Sequence, residues 1–181
     1  ARIRPHFLFN SMNTIANLTR RQPQAAEQAI EDLADLFRVA LEQKDRVTLA
    51  EELEITRRYL NIESLRLGPR LESAWSLDPE LPLDARLPGL ILQPLVENAV
   101  YHGIEPSTDG GTIAIEVWRT SAAIEFAVTN PLPSGSYRAT RGSHIAQHNV
   151  RERLALAYSH PEPLHIEKMG GYYRVNFRIP L

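Results

Sequence analysis

Hydrophobic and polar positions follow two different rhythms along the chain. From Pro5 to Leu67 apolar residues recur at helical spacing. Leu8, Met12 and Ile15 form one stripe on a first predicted helix over 5–21, which Pro23 ends. Ile30, Leu33, Phe37 and Leu41 form the stripe of a second helix over 24–43, with Glu27, Glu31, Asp35 and Arg38 elsewhere on the wheel. Thr48-Leu49-Ala50-Glu51 is a capping box that opens a third helix, and Gly68-Pro69 closes it. This third helix carries two apolar stripes, Leu49/Leu53/Leu60/Leu67 and Ile55/Tyr59/Ile62. So much apolar surface with nothing larger to cover it predicts a bundle completed by a partner chain.

Beyond Leu71 the rhythm shortens. Leu71 to Leu77 is consistent with a strand, and Leu90 to Gly103 with a helix. Thr112 to Arg119 and Ala122 to Thr129 alternate as a hairpin turning near Ser121. A turn-rich loop over Pro131 to Gly142 precedes a helix over Ile145 to Tyr158. Leu164 to Met169 and Tyr172 to Pro180 then make a second hairpin around Gly170-Gly171. The order β-α-β-β-loop-α-β-β predicts an α+β fold, a helix layer against a mixed sheet. The expected organisation is a helical region over 1–68 followed by an α+β domain over 69–181.

Composition sharpens that division. None of the nine glycines among the 181 residues precedes Gly68, and only Pro5 and Pro23 of 13 prolines do. Glycine and proline disfavour helix interiors, so an all-helical bundle and an all-β sandwich are both excluded. A net charge of −2 gives no field that attracts nucleic acid. With no cysteine, disulfides, thiolate zinc sites and thiol nucleophiles are ruled out. The longest apolar run, Leu87 to Val96, is interrupted by Pro88, Gly89, Gln93 and Pro94 and is too short to span a bilayer. The sequence starts with Ala1 and runs straight into patterned segments, so it is expected to be a piece of a longer protein with a membrane or sensing segment upstream.

Three stretches have chemical potential. His6, Asn10 and Asn13 share one helix face at i, i+4 and i+7. An imidazole is a nitrogen nucleophile near neutral pH and can accept a phosphoryl group; taken alone, a surface histidine on an amphipathic helix fits as well. In Leu95-Val96-Glu97-Asn98-Ala99-Val100-Tyr101-His102-Gly103, Asn98 and His102 share a helix face and Glu97 lies one step round. An amide oxygen suits Mg²⁺, and a carboxylate can orient or deprotonate a nucleophile; ordinary helix-surface polarity is the alternative. In Gly142 to Leu154, a glycine ahead of a helix leaves backbone N–H groups open to phosphate, and Arg151 or Arg153 can add charge. An ordinary helix entry with surface arginines is the alternative there.

In fixed order these stretches are far more specific than any one alone. Pro5-His6-Phe7-Leu8-Phe9-Asn10 resembles the phosphoacceptor motif of the LytS/AlgZ-type sensor histidine kinases. Leu92-Gln93-Pro94-Leu95-Val96-Glu97-Asn98-Ala99-Val100-Tyr101-His102-Gly103 is similar to that family's N-box. Asn149-Val150-Arg151-Glu152-Arg153-Leu154 resembles the segment after its glycine-rich lid, and Tyr59-Leu60-Asn61-Ile62-Glu63 with Arg66 resembles its third helix.

The resemblance implies a dimeric helical region presenting His6 and a Bergerat-type (GHKL) ATP-binding domain. Asn98 would hold Mg²⁺ against ATP, with His102, Asn130, Gly142, Asn149 and Arg151 as the other nucleotide-site residues. The γ-phosphoryl would pass to His6, with Glu97 as the candidate base, and then to an aspartate of a LytTR-type response regulator such as AlgR. The chain would be the cytoplasmic region of an inner-membrane homodimer.

The sequence also departs from the family. Asp-x-Gly-x-Gly is replaced by Asn130-Pro131-Leu132-Pro133, and His144 and Ala146 stand where the second glycine box has glycines. A Cβ there obstructs close approach of phosphate to backbone N–H groups. Two other readings therefore accompany the kinase: a degenerate homologue that controls the regulator by docking or phosphatase action with weak or no ATP binding, and an ATPase or serine kinase of the anti-sigma type.

Overall fold

The computed structural model describes residues 5–42, 44–133, 141–159 and 163–181, with 141–145 as backbone only. The helical rhythm of the first third yields α1 (Pro5–Leu18), α2 (Pro23–Glu42) and α3 (Leu49–Leu67). The capping box forms as expected. Thr48 Oγ1 accepts the Glu51 N–H at 3.1 Å and Glu51 Oε2 accepts the Thr48 N–H at 2.7 Å. Gly68 ends α3 at φ 58°, a backbone angle that side chains with a Cβ resist.

All seven apolar residues of the two α3 stripes are buried, whereas Ile30 and Leu41 of α2 and Met12 of α1 are exposed. Between α2 and α3 lies a short strand, β1 (Arg46–Thr48), that the sequence pattern did not indicate. It pairs antiparallel with β3 (Arg86–Pro88), equally unexpected. Three-residue strands are too short to display an alternation.

The remainder is the expected layered arrangement. A five-stranded sheet has the order β2-β4-β5-β7-β6, built from β2 (Leu71–Leu77), β4 (Gly111–Arg119), β5 (Ala123–Pro131), β6 (Leu164–Met169) and β7 (Tyr172–Pro180). β2 runs parallel to β4 and the other pairs are antiparallel, so the sheet is mixed. One face supplies the core: Ile113, Ile115 and Val117 of β4 alternate inward, and Phe126 stacks on Phe177 with ring centroids 4.5 Å apart. On the other face charged side chains meet across strands, Glu116 with Arg174 at 2.5 Å and Glu125 with Arg178 at 3.4 Å.

The helices over the core face are α4 (Gln93–Ala99) and α5 (Arg141–Tyr158), each differing from expectation at its ends. The predicted helix over 90–103 is instead α4 plus a π-helical turn over Val100–Ile104, in which the Glu105 N–H reaches back five residues to the Val100 carbonyl at 3.0 Å. Pro94 fixes the start of α4 within its first turn. α5 begins at Arg141 rather than at residue 145, in keeping with His144 and Ala146, which tolerate a helix better than the glycines they replace. The predicted loop over 131–142 falls largely outside the described residues.

Candidate functional site

The site is built around α4. This helix has no cap of its own sequence, because Leu92 offers no side-chain acceptor. Its N-terminal amides are satisfied instead by Glu52 of α3. Glu52 Oε1 accepts the N–H groups of Ile91, Leu92 and Gln93 at 2.9, 2.8 and 3.4 Å, and Oε2 accepts that of Leu90 at 2.9 Å. The carboxylate is 1% exposed. Burial pushes its pKa above the ordinary carboxylate value while the four donors pull it down. Leu90, at φ 56°, turns the chain so that these amides converge.

The other end of α4 is held by α3 as well. Arg66 forms ion pairs with Glu63 on its own helix and with Glu105, the residue after the π turn. Arg70 donates to the carbonyls of Ile104, Glu105 and Ser107 at 3.3, 2.9 and 2.7 Å. Helix α3 and the turn that follows it thus grip the N-box segment at both ends, through the Glu52 carboxylate and the guanidiniums of Arg66 and Arg70.

Within that grip, Asn98 and His102 are both buried, at 6% and 9% exposure, and the ring of Tyr101 stands edge-on to His102 with centroids 4.8 Å apart. Gly103 is needed for close packing, since a Cβ at that position would lie 2.4 Å from Asn130 Nδ2. Asn130, at the end of β5, is therefore seated directly against the N-box turn, and its amide donates to the Pro131 carbonyl at 2.9 Å. Across the β5–β7 ladder Asn130 faces Tyr173, whose hydroxyl receives the Gln147 amide of α5 at 2.5 Å. Gly103, Asn130, Tyr173 and Gln147 thereby connect the N-box turn, β5, β7 and α5.

Glu97 accepts the Gln93 amide at 2.9 Å on α4. Asn149 and Arg151 are exposed on α5, with an Arg151 guanidinium nitrogen 3.5 Å from the Leu164 carbonyl. Gly142 lies in the first turn of α5, where the side chains of 141–145 are outside the described residues. His6 is exposed on α1, and the Asn10 amide nitrogen lies 3.2 and 3.3 Å from its two ring nitrogens. The α1 segment rests on α3 through Phe7 and Tyr59, with ring centroids 5.3 Å apart. Residues 1–71 match the family model described as Histidine kinase.

The likeness continues to the end of the chain. It is 33% identical over 99% of its length to the sensor histidine kinase YpdA of Escherichia coli K12. It is 31% identical over 99% of its length to the sensor protein LytS of Streptococcus agalactiae. In both cases it spans 33% of the relative's length. Among solved structures, the catalytic domain of the histidine kinase ThkA shares the fold at a TM-score of 0.55 and 16% identity, over 75% of this chain and 95% of that one. ThkA has also been solved in complex with the response regulator TrrA, matching at a TM-score of 0.51 and 15% identity over 97% of this chain and 59% of that one. The α+β fold is thus that of histidine kinase catalytic domains.

Gln147, Glu52 and Glu105 were not singled out from sequence, whereas Glu63 and Arg66 entered only within the resemblance to the family's third helix. A signal for them exists. Gln147 falls on the apolar spacing of Val150 and Leu154, and Glu52, Thr56, Tyr59 and Glu63 run at i, i+4, i+7 and i+11 inside an otherwise apolar face of α3. A polar residue in phase with a buried stripe marks a built contact.

Proposed function

We propose that this chain is the kinase core of a two-component sensor. It would transfer the γ-phosphoryl of ATP to His6 and then to an aspartate of a LytTR-type response regulator of the AlgR kind. The observation that carries this reading is α3 itself: the helix against which the His6 segment packs also holds the start of the helix bearing Asn98 and, through Arg66, the residue after the π turn that follows it. Nucleotide would sit beside Asn98, His102 and Asn130, reached by Gly142, Asn149 and Arg151 from α5. The Asn98 amide oxygen would take one position on Mg²⁺, the rest going to phosphate oxygens and water. Among the described residues no cluster of three acidic, histidine or cysteine side chains offers a competing metal site.

The helical region over 1–68 would dimerise. Phe9, Met12, Ile30 and Leu41 expose 67%, 58%, 53% and 78% of their surface on α1 and α2, an apolar surface suited to a second copy. No described helix is long and apolar enough to cross a membrane. The α+β domain over 69–181 would carry the nucleotide, and the solved ThkA–TrrA complex supports a response regulator as the partner.

One observation favours a second reading. His144 and Ala146 occupy glycine-box positions, which suits a degenerate homologue that docks or dephosphorylates its regulator. Calorimetric titration with Mg²⁺ and ATP separates the two. Micromolar binding abolished by Asn98→Ala supports the kinase, and absence of binding supports the degenerate form.

A further inference from the structure

The side chain that fastens the first half of α5 to the sheet is polar. Among the described side chains of α5, Gln147 is the first to be buried, at 6% exposure. Val150 and Leu154, three and seven residues on, carry the same helix face into the apolar core. The partner of Gln147 is not apolar. Its amide donates to the Tyr173 hydroxyl at 2.5 Å.

Tyr173 is fixed by its strand. β7 is paired on both edges, so Tyr173 is the register partner of Asn130 on β5 and of Lys168 on β6. The β5–β7 pairing is tied beyond this point too, where the Leu132 N–H donates to the Gly171 carbonyl at 2.7 Å. Directly opposed residues share a sheet face, with Cβ atoms about 5 Å apart, so the Tyr173 side chain rises beside Asn130. On its other side the Lys168 ammonium lies 5.7 Å from the ring centroid. Burial holds the Tyr173 hydroxyl above its ordinary pKa. The ring and the Gln147 amide thus bridge the span from Asn130 to α5, which is the span in which the kinase reading seats the nucleotide.

We propose that Gln147 and Tyr173 form a latch that sets nucleotide affinity, and that nucleotide enters between Asn130 and α5 only when their hydrogen bond opens. The inference rests on the kinase reading above. Because β7 is held on both edges, opening moves Gln147 and the start of α5, while Val150 and Leu154 keep the rest of the helix docked. The open form is a local, minor state of the free protein, and apparent affinity falls in proportion to its population. One neutral hydrogen bond that must break before binding weakens affinity about 3- to 10-fold.

The test is calorimetric titration of the full-length protein with Mg²⁺ and ATP, beside hydrogen exchange of the α5 amides without nucleotide. Tyr173→Phe keeps the ring and loses the hydroxyl, and Gln147→Ala removes the amide from the other side. Each variant is expected to bind Mg·ATP about 3- to 10-fold more tightly than wild type and to exchange the amides at the start of α5 faster by a similar factor. The double variant should gain no more than the better single one, since both remove the same bond. Faster exchange with unchanged or weaker binding in Tyr173→Phe makes the bond structural alone and overturns the proposal. Unaltered exchange in Tyr173→Phe also overturns it, and this conservative variant decides the matter if Gln147→Ala does not fold. Absence of binding in wild type and in both variants overturns the kinase reading and the proposal together, whereas binding by wild type confines any failure to the latch.

Discussion

Replacing Glu52 by glutamine changes one atom type in the core and tests how α4 is held. The carboxylate satisfies four amides, three through Oε1 and one through Oε2. Glutamine keeps an oxygen for the three converging N–H groups of Ile91, Leu92 and Gln93, but turns an NH₂ toward the Leu90 N–H, donor against donor. One charge-assisted hydrogen bond is lost, worth about 1.5–3 kcal/mol, and a buried donor is orphaned. Relief of carboxylate desolvation offsets part of this, leaving about 2 kcal/mol of destabilisation. Glu52→Leu orphans all four amides at about 1 kcal/mol each, for a total near ~4 kcal/mol. At about 2–4 °C per kcal/mol for a chain of this size, thermal unfolding followed by circular dichroism should fall by about 4–8 °C for Gln and about 8–16 °C for Leu. Mg·ATP affinity should weaken in the same order, because α4 carries Asn98. A leucine variant as stable as the glutamine variant, or either as stable as wild type, refutes the claim that these bonds anchor the helix.

The cap of α3 and the packing of Gly103 give two further expectations. Thr48→Ala should cost about 1 kcal/mol and lower the melting temperature by about 2–4 °C. The partner residue Glu51 is held below the ordinary carboxylate value, chiefly by the Thr48 N–H. Its contribution is therefore complete above its unfolded value of 4.5 and is lost as pH falls through the depressed folded value. A wild-type protein whose stability does not decline on acidification through that range, relative to Glu51→Gln, contradicts the assignment. Gly103→Ala places a Cβ 2.4 Å from Asn130 Nδ2, so it should displace that amide and weaken nucleotide binding more than it lowers melting temperature; calorimetry beside thermal unfolding reads both.

Patterns that repeat over many residues were legible before the structure. The α3 stripes, the capping box at Thr48, both hairpins and the mixed sheet all appear at or near the expected positions. What escaped notice depends on contacts between distant segments. β1 and β3 exist only because Val47 finds Leu87 across the ladder. The N-terminus of α4 is set by a carboxylate some forty residues earlier, and the π turn that follows shifts His102 relative to a regular helix. For the site, Asn98, His102 and Asn130 could be named from motif and resemblance. Glu52 was not, because a glutamate inside an amphipathic pattern reads as solvent-facing until the opposing amides are seen, and Glu63 was named only within the resemblance to the third helix.

Phosphorylation of His6 is the central claim, and one labelling experiment addresses it most directly. Full-length protein incubated with Mg²⁺ and γ-labelled ATP should acquire an acid-labile, base-stable label, absent in His6→Gln and strongly reduced in Asn98→Ala. No label on the full-length protein, or a label that survives in His6→Gln, would contradict the account.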